Sequence, residues 1–292
     1  MSAPVLDSRN QKSLVIDKVL SMIPRFKILT FGLIVLSLIP GGVGVAGVLV
    51  SATFGSSGQR TSLIGMNPGE MPFAPDVAGP AGAIFQLAGG GAYDVWRLDN
   101  AARMHNGGAV AITLGGGNEN AVLTISAKIC FEQPPKAENK TEEGKEVVVQ
   151  EDLDKLKSDI KAGVAVLGFY SVVPKQEFGY FYKAFTGLQV NYDGSLQLYV
   201  NGESSGAPIA FGGTFDPATP TLLSFTVNTI TGALVKVEFG TSSAKYEFST
   251  TSFTKEATVY AGFGGSLGNH PLHVEFRDFN VSAESVSGKS SL

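Results

Sequence analysis

Asn191-Tyr-Asp-Gly-Ser-Leu-Gln-Leu-Tyr-Val-Asn-Gly202 is a hairpin written in period two. Leu188, Val190 and Tyr192 alternate with Gln189 and Asn191, and Leu196, Leu198 and Val200 alternate with Gln197 and Tyr199. Successive strand side chains point to opposite faces, so each arm offers one apolar and one polar face. A two-residue Asp193-Gly194 turn would pair Val190 with Gln197 and Leu188 with Tyr199, mixing those faces. A three-residue Asp193-Gly194-Ser195 loop pairs Val190 with Leu198 and Leu188 with Val200, keeping one face apolar. A one-residue slip would carry the entire apolar set to the wrong side. The odd-numbered loop is therefore expected, despite the usual link between Asp-Gly and two-residue turns.

Short alternating segments of this kind recur from about Gly82 onward, separated by turn residues. Expected strands cover 121–131, 163–173, 177–185, 222–228, 234–239, 245–249, 257–263 and 273–282. In the last of these, Val274 and Phe276 share one phase and Phe279 and Val281 the other. A bulge near Arg277-Asp278 would return all four to the core; burial on both faces is the other reading. The chain has 36 glycines, 19 phenylalanines and only 16% charged residues, against about 25% in a typical globular domain, which suits a turn-rich β protein. The expected fold class is all-β, a two-sheet jelly-roll sandwich occupying 82–283. A charged insertion at 132–162 contains Leu153, Leu156 and Ile160 at helical spacing, with Gly163 as a stop signal. Residues 284–292 read as a tail, and 55–81 as a Gly/Ser/Pro-rich linker or arm.

Ahead of that body, residues 28–54 carry no charge. Roughly 20 apolar residues suffice to span a bilayer, so this run predicts a transmembrane helix, kinked at Pro40-Gly41-Gly42. Arg25 and Lys27 flank it, and the cationic excess in the leader 1–27 places the N-terminus in the cytoplasm and the body outside. Two other readings stay open: a signal peptide cut near Val50-Ser51-Ala52, and burial within an assembly. Leu14, Val15, Val19, Leu20, Met22 and Ile23 could form an amphipathic helix on the membrane face.

The segments "GLQVNYDGSLQLYVNG", "LLSFTVNTITGALVKVEFG" and "HVEFRDFNVS" together resemble the concanavalin A-like lectin and laminin G-like superfamily. The resemblance spans roughly Ala83 to Ser282. It implies a two-sheet jelly roll and a capacity to bind sugars, proteins or lipids. None of the family's metal-binding Asp and Asn positions matches here, so no binding residue is carried over.

The residues offer little chemistry of other kinds. Glycoside hydrolysis needs two convergent carboxylates, and the alternating E-x-D-x-x-E strand of the fold's hydrolases is absent. Glu151, Asp152 and Asp154 lie in the charged insertion, and Glu275 and Asp278 share a face only if the bulge realigns them. His270 and His273, with His105 far away, fall short of a zinc site, so no metal and no cofactor is expected. Cys130, the single cysteine, reads as a structural thiol. The glycine runs in "LAGGGAYD" and "TLGGGNEN" lack the residues of a phosphate loop and read as turns. Net charge of −4 makes no case for nucleic acid. Asn139-Lys140-Thr141 is a glycosylation candidate through Asn139, while Asn280-Val281-Ser282 falls within a strand. Tyr93, Trp96, Tyr180, Tyr182 and Tyr199 could line a binding face, with core or cross-strand roles as the alternative.

These features favour a membrane-anchored, non-catalytic β-sandwich for extracytoplasmic recognition or adhesion, with membrane lipid around 28–54 and a glycan or protein as ligand. The alternative is a structural assembly protein, such as a minor capsid component of a membrane-containing virus, making homo- or hetero-contacts in the virion. A glycoside hydrolase is the third reading.

Overall fold

The alternation seen at 188–200 is one instance of a pattern that builds two antiparallel sheets. The computed structural model describes residues 47–55, 58–65, 83–115, 121–134, 155–156, 158, 160–173, 182–209, 215–244, 251–267 and 272–285. All of them belong to one unit, residues 42–292. In chain order the strands are β1 (Gly47–Ala52), β2 (Thr61–Ser62), β3 (Gln86–Gly89), β4 (Val95–Leu98), β5 (Ala101–Met104) and β6 (Gly108–Thr113). There follow β7 (Ala121–Phe131), β8 (Val164–Tyr170), β9 (Phe185–Asn191), β10 (Leu196–Val200) and β11 (Glu203–Ile209). The last are β12 (Thr221–Asn228), β13 (Ala233–Phe239), β14 (Ser242–Ala244), β15 (Tyr260–Ser266) and β16 (Val274–Ser285).

Sheet A runs β14-β13-β12-β7-β16-β5-β4-β2, with β1 also paired to β16; sheet B runs β11-β10-β9-β8-β15-β6-β3. Their facing sides hold the main core. Burying a large apolar side chain contributes roughly 1.5–3 kcal/mol, which is why the alternating phase dominates the choice of register.

The bulge in the last strand fills the centre of that core. Arg277 pairs with Lys128 and Asn280 with Ser126, so two residues of β16 face one of β7. Asp278 takes up the excess at φ 51°. As a result Val274, Phe276, Phe279 and Val281 are all fully buried. Phe263 of β15 packs its ring against both Phe276 (4.8 Å) and Phe279 (4.9 Å), which lie on the facing sheet. The bulge reading holds, and burial on both faces is not needed.

The opening hairpin has the expected parity and loop length, but the loop sits one residue earlier, so each pairing shifts by two. Val190 pairs with Leu196 and Leu188 with Leu198, in place of Val190 with Leu198 and Leu188 with Val200. The loop is Tyr192-Asp193-Gly194, closed by Asn191 N donating to Ser195 O at 2.9 Å. Gly194 decides this. It sits at φ 82°, the left-handed position that ends a three-residue hairpin loop, while Gly194 N donates to Asn191 O and Ser195 N to Asp193 Oδ1. A loop of Asp193-Gly194-Ser195 would put serine at that position. The next turn is the two-residue Asn201-Gly202, both at positive φ, between Val200 and Glu203.

Two expectations at the N-terminal side are corrected. Residues 47–54, read as the end of a membrane helix, instead form β1 and its exit, with Val50, Ala52 and Phe54 fully buried. An apolar run does not by itself distinguish a spanning helix from a core strand; beyond Gly47 the chain alternates and finds β16 as a partner. Cleavage near Val50-Ser51-Ala52 would remove that strand. The sandwich also begins before Gly82, since β2 and buried Leu63 lie within the stretch read as a linker. The leader, residues 28–46 and the amphipathic stretch at 14–23 lie outside the described residues. No helix among the described residues is long and apolar enough to cross a membrane.

Within the charged insertion, Lys155, Leu156, Ser158 and Ile160 are helical, and Ile160 is buried. Gly163 follows because of packing: a Cβ there would meet Leu267 at 2.4 Å. Of the strand expected at 177–185, residues 177–181 lie outside the described residues, 182–184 form a turn, and Phe185 opens β9. Positions 245–249 lie outside the described residues.

Candidate functional site

Each sheet turns an outer face away from the core, and the two differ sharply in chemistry. Strands β3, β6, β8, β9, β10 and β15 of sheet B contain no charged residue. Their outer phase has a floor of small residues: Ala111, Gly262, Gly168 and Gly187 lie side by side across four strands. Rings close over it. The Phe185 ring would meet a Cβ at Gly168 or Gly187 within 2.8 Å, and Tyr170 would meet one at Gly262 within 2.9 Å. Aromatics laid over strand glycines restore the packing that a missing side chain forfeits.

At the β9–β10 end this face becomes polar. Tyr199 stands opposite Gly187, and its ring stacks on Tyr182 with centroids 4.4 Å apart and planes 13° from parallel. Tyr182 Oη donates to Gln189 Oε1, Gln189 Nε2 donates to Asn191 Oδ1, and Asn191 Nδ2 donates to Ser195 Oγ at 2.8 Å. Gln197, directly across from Gln189, donates from Nε2 to Ser205 O (3.1 Å) and Gly206 O (3.2 Å). Burial, then the neighbouring Tyr199, pushes the Tyr182 phenol upward, so it stays a neutral donor. This places two of the aromatics singled out from the sequence, Tyr182 and Tyr199, in one site together with amides that sequence reasoning missed. The amides' polar phase within the hairpin was the available signal.

Sheet A carries the charge. Trp96, Arg103, Glu275 and Cys130 form one row across β4, β5, β16 and β7 on its outer face. Glu275 accepts from Arg277 at 2.7 Å and pairs with Arg103 at 2.9 Å and His273 at 3.3 Å. Burial alone would raise its pKa, but hydrogen bonds from His273 and Arg277 and the charge of Arg103 hold it down at about 2. Such a carboxylate is a fixed anion and not a proton donor near neutrality. Asp278 is turned by the bulge toward Lys128, 2.7 Å away. Cys130 is buried, donates toward Glu275 Oε2 at 3.6 Å, and burial followed by the Glu275 charge pushes its thiol up to about 12. That environment suits a structural thiol.

Trp96 is not a free platform. It is 7% exposed, with the Arg60 guanidinium 3.9 Å above its ring and His105 and His273 against its edges at 5.9 and 5.6 Å. His105 Nδ1 bonds Asp94 Oδ1 at 2.9 Å, and Asp94 Oδ2 accepts from Gly91 N. The two histidines are thus brought close through Trp96, although the sequence separates them widely. No group of metal-ligating side chains is found among the described residues. Tyr93 is almost fully exposed at 88%. His270, Tyr180, Asn139, Glu151, Asp152 and Asp154 lie outside the described residues. Asn280 lies in β16, as its sequence context implied.

No family profile matches the chain, and no curated protein matches it. Solved structures do. The metal-free carbohydrate recognition domain of Emp46p is 11% identical, covers 68% of this chain and 87% of its own, and superposes with a TM-score of 0.40. Arcelin-5, a lectin-like defence protein from Phaseolus vulgaris, is 11% identical over 69% of this chain and 92% of its own, with a TM-score of 0.40. A Trypanosoma rangeli sialidase in complex with sialic acid is 11% identical over 80% of this chain but only 30% of its own, at 0.42. The two-sheet, all-β sandwich expected from the strand motifs is the architecture of this chain. At such identities and scores the likeness transfers no residue role and no ligand.

Proposed function

We propose that this sandwich is a non-catalytic recognition domain that binds a carbohydrate on the outer face of sheet B, at the β9–β10 end. The observation that carries this reading is the stacked Tyr182–Tyr199 pair beside the Gln189–Asn191 amides on a face whose central strands lack charge. Sugars present apolar C–H patches and hydroxyl rims. Aromatic rings serve the first, and planar amides, which both donate and accept, serve the second. Fixed ion pairing of Glu275 supports the non-catalytic part, because a hydrolase needs a carboxyl free to protonate a leaving group. For display outside the cytoplasm, residues 28–46 still form an uncharged run of close to the roughly 20 residues that a membrane span requires.

A glycan array with the full chain tests the ligand. Binding that falls about tenfold in both Tyr199→Ala and Gln189→Ala, a change of about 1.4 kcal/mol, supports the proposal. Absence of glycan binding, or binding untouched by either variant, overturns it. Alkaline carbonate extraction from membranes tests the anchor separately, and release into the soluble fraction would count against it.

A further inference from the structure

Two acids and a base where strands β7 and β16 of sheet A meet take no part in the proposed ligand site. Glu132 follows β7, and His273 precedes β16, where β7 and β16 pair at Phe131 and Val274. The two residues hold each other by backbone and side chain. Glu132 N donates to His273 O at 3.0 Å, and His273 N donates to Glu132 Oε2 at 3.1 Å. The imidazole adds Nδ1 to the same Glu132 oxygen at 2.7 Å, and its Nε2 faces Glu275 Oε1 at 3.3 Å. The His273 side chain is only 6% exposed.

We propose that Glu132, His273 and Glu275 form a proton-operated clasp that joins the end of β7 to the start of β16 while His273 is charged and loosens when it is neutral. The reason is a count of protons. Imidazolium has two N–H donors, and here both nitrogens face carboxylate oxygens. Neutral imidazole has one, so loss of a proton turns a lone pair toward one of the two carboxylates. Glu275 is held ionised by Arg103 and Arg277.

The other charged groups around the imidazole act in known directions. Arg103 of β5 opposes protonation directly. Arg277 and Cys130 act through Glu275, and the His105–Asp94 pair lies across the Trp96 ring. Burial opposes the charged form most strongly, but the bonds to Glu132 and Glu275 and the Glu132 charge together outweigh burial and Arg103 and raise the His273 pKa above 6.5. The clasp is consequently closed below pH 6.5 and opens as pH rises through the raised His273 value. Glu132 is also where the charged stretch 132–162 begins, so the clasp fixes the point from which that stretch departs.

The full-length chain carries its own reporter, because Trp96 is its single tryptophan and touches His273. The test combines Trp96 emission, the histidine Cε1–H resonances and amide protection at Glu132, each followed from pH 5 to about 9. The expected result is a His273 titration above 6.5 and a parallel fall in Glu132 protection, about tenfold for each unit by which the titration is raised. Glu132→Gln should lower the His273 midpoint, and His273→Gln should abolish the emission step that survives in His105→Gln. Should His273→Gln not fold, the Glu132→Gln comparison and the unmodified chain still decide. A His273 titration at or below 6.5, or Glu132 protection that ignores it, overturns the clasp.

Discussion

Gly194 and Gly206 both sit in the left-handed region, at φ 82° and 72°, but they differ in what surrounds them. A Cβ at Gly194 would lie 2.6 Å from the Phe215 side chain, whereas one at Gly206 meets nothing within 4 Å. Conformational strain alone costs an L residue about 1–2 kcal/mol. Gly206→Ala is therefore expected to lose about that much, and Gly194→Ala measurably more, because the Phe215–Phe131 edge contact must also move. Denaturant midpoints for the two variants check this, and equal losses would show that contact adds nothing. Asp278 makes the converse case. It holds φ 51° without being glycine. Asp278→Gly relieves that strain and sacrifices only an exposed pair with Lys128, worth about 0–1 kcal/mol, so stability should be unchanged or slightly higher.

At the scale of elements, the bulge is a phase switch. Asp278 is the extra residue, so deleting it would set Phe279 opposite Ala127 and leave Phe276, Phe279 and Val281 on one regular inward phase. The deletion should therefore keep a cooperative thermal transition, as Asp278→Gly does; its loss, at the about 3–5 kcal/mol that a buried phenylalanine is worth, would show that Phe279 had left the core. Strand β1 makes a second test. A chain starting at residue 42 keeps Val50, Ala52 and Phe54, and one starting at residue 55 does not. Only the longer chain is expected to melt cooperatively, and cooperative melting of the shorter one would show β1 to be dispensable. The contrast also separates a retained N-terminal segment from one removed near Ala52.

For the whole molecule, Glu275 and His273 set the edges of a stability window. Glu275 is lowered from 4.5 to about 2 on folding, so its contribution is present above 4.5 and is lost as pH falls toward 2. His273 is raised above 6.5, so its contribution is full below 6.5 and is lost as pH rises through the folded value. Stability should peak between about pH 4.5 and 6.5. Denaturant unfolding across pH measures this. Glu275→Gln should flatten the acid limb and His273→Gln the alkaline limb, and a peak displaced to alkaline pH would contradict the His273 assignment. The same charges knit sheet A's outer face together, while the outer phase of the sheet B strands, lacking charge, packs rings and amides.

How much of this was legible beforehand depends on the range of the deciding interaction. Period-two alternation at 188–200 and the phase break at 277–278 are local, and they sufficed for two antiparallel layers, the odd hairpin loop and the bulge in β16. The short strands β3 to β6 were harder to see, since alanine and glycine there carry little contrast between faces. Residues 47–54 were read as helix because an apolar run offers the same composition to a bilayer and to a core; pairing with β16, more than two hundred residues later, resolved them. The hairpin's exact register needed the φ of one glycine. The site residues needed more still: Trp96, His105 and His273 meet only because β4, β5 and β16 are neighbours in sheet A, and Tyr182 meets Tyr199 only because the chain turns before β9. By itself the sequence determined which faces are apolar, since side-chain direction follows the backbone's own period. Tertiary structure alone decided which polar groups meet, since that depends on strand order, and strand order is set by contacts distant along the chain.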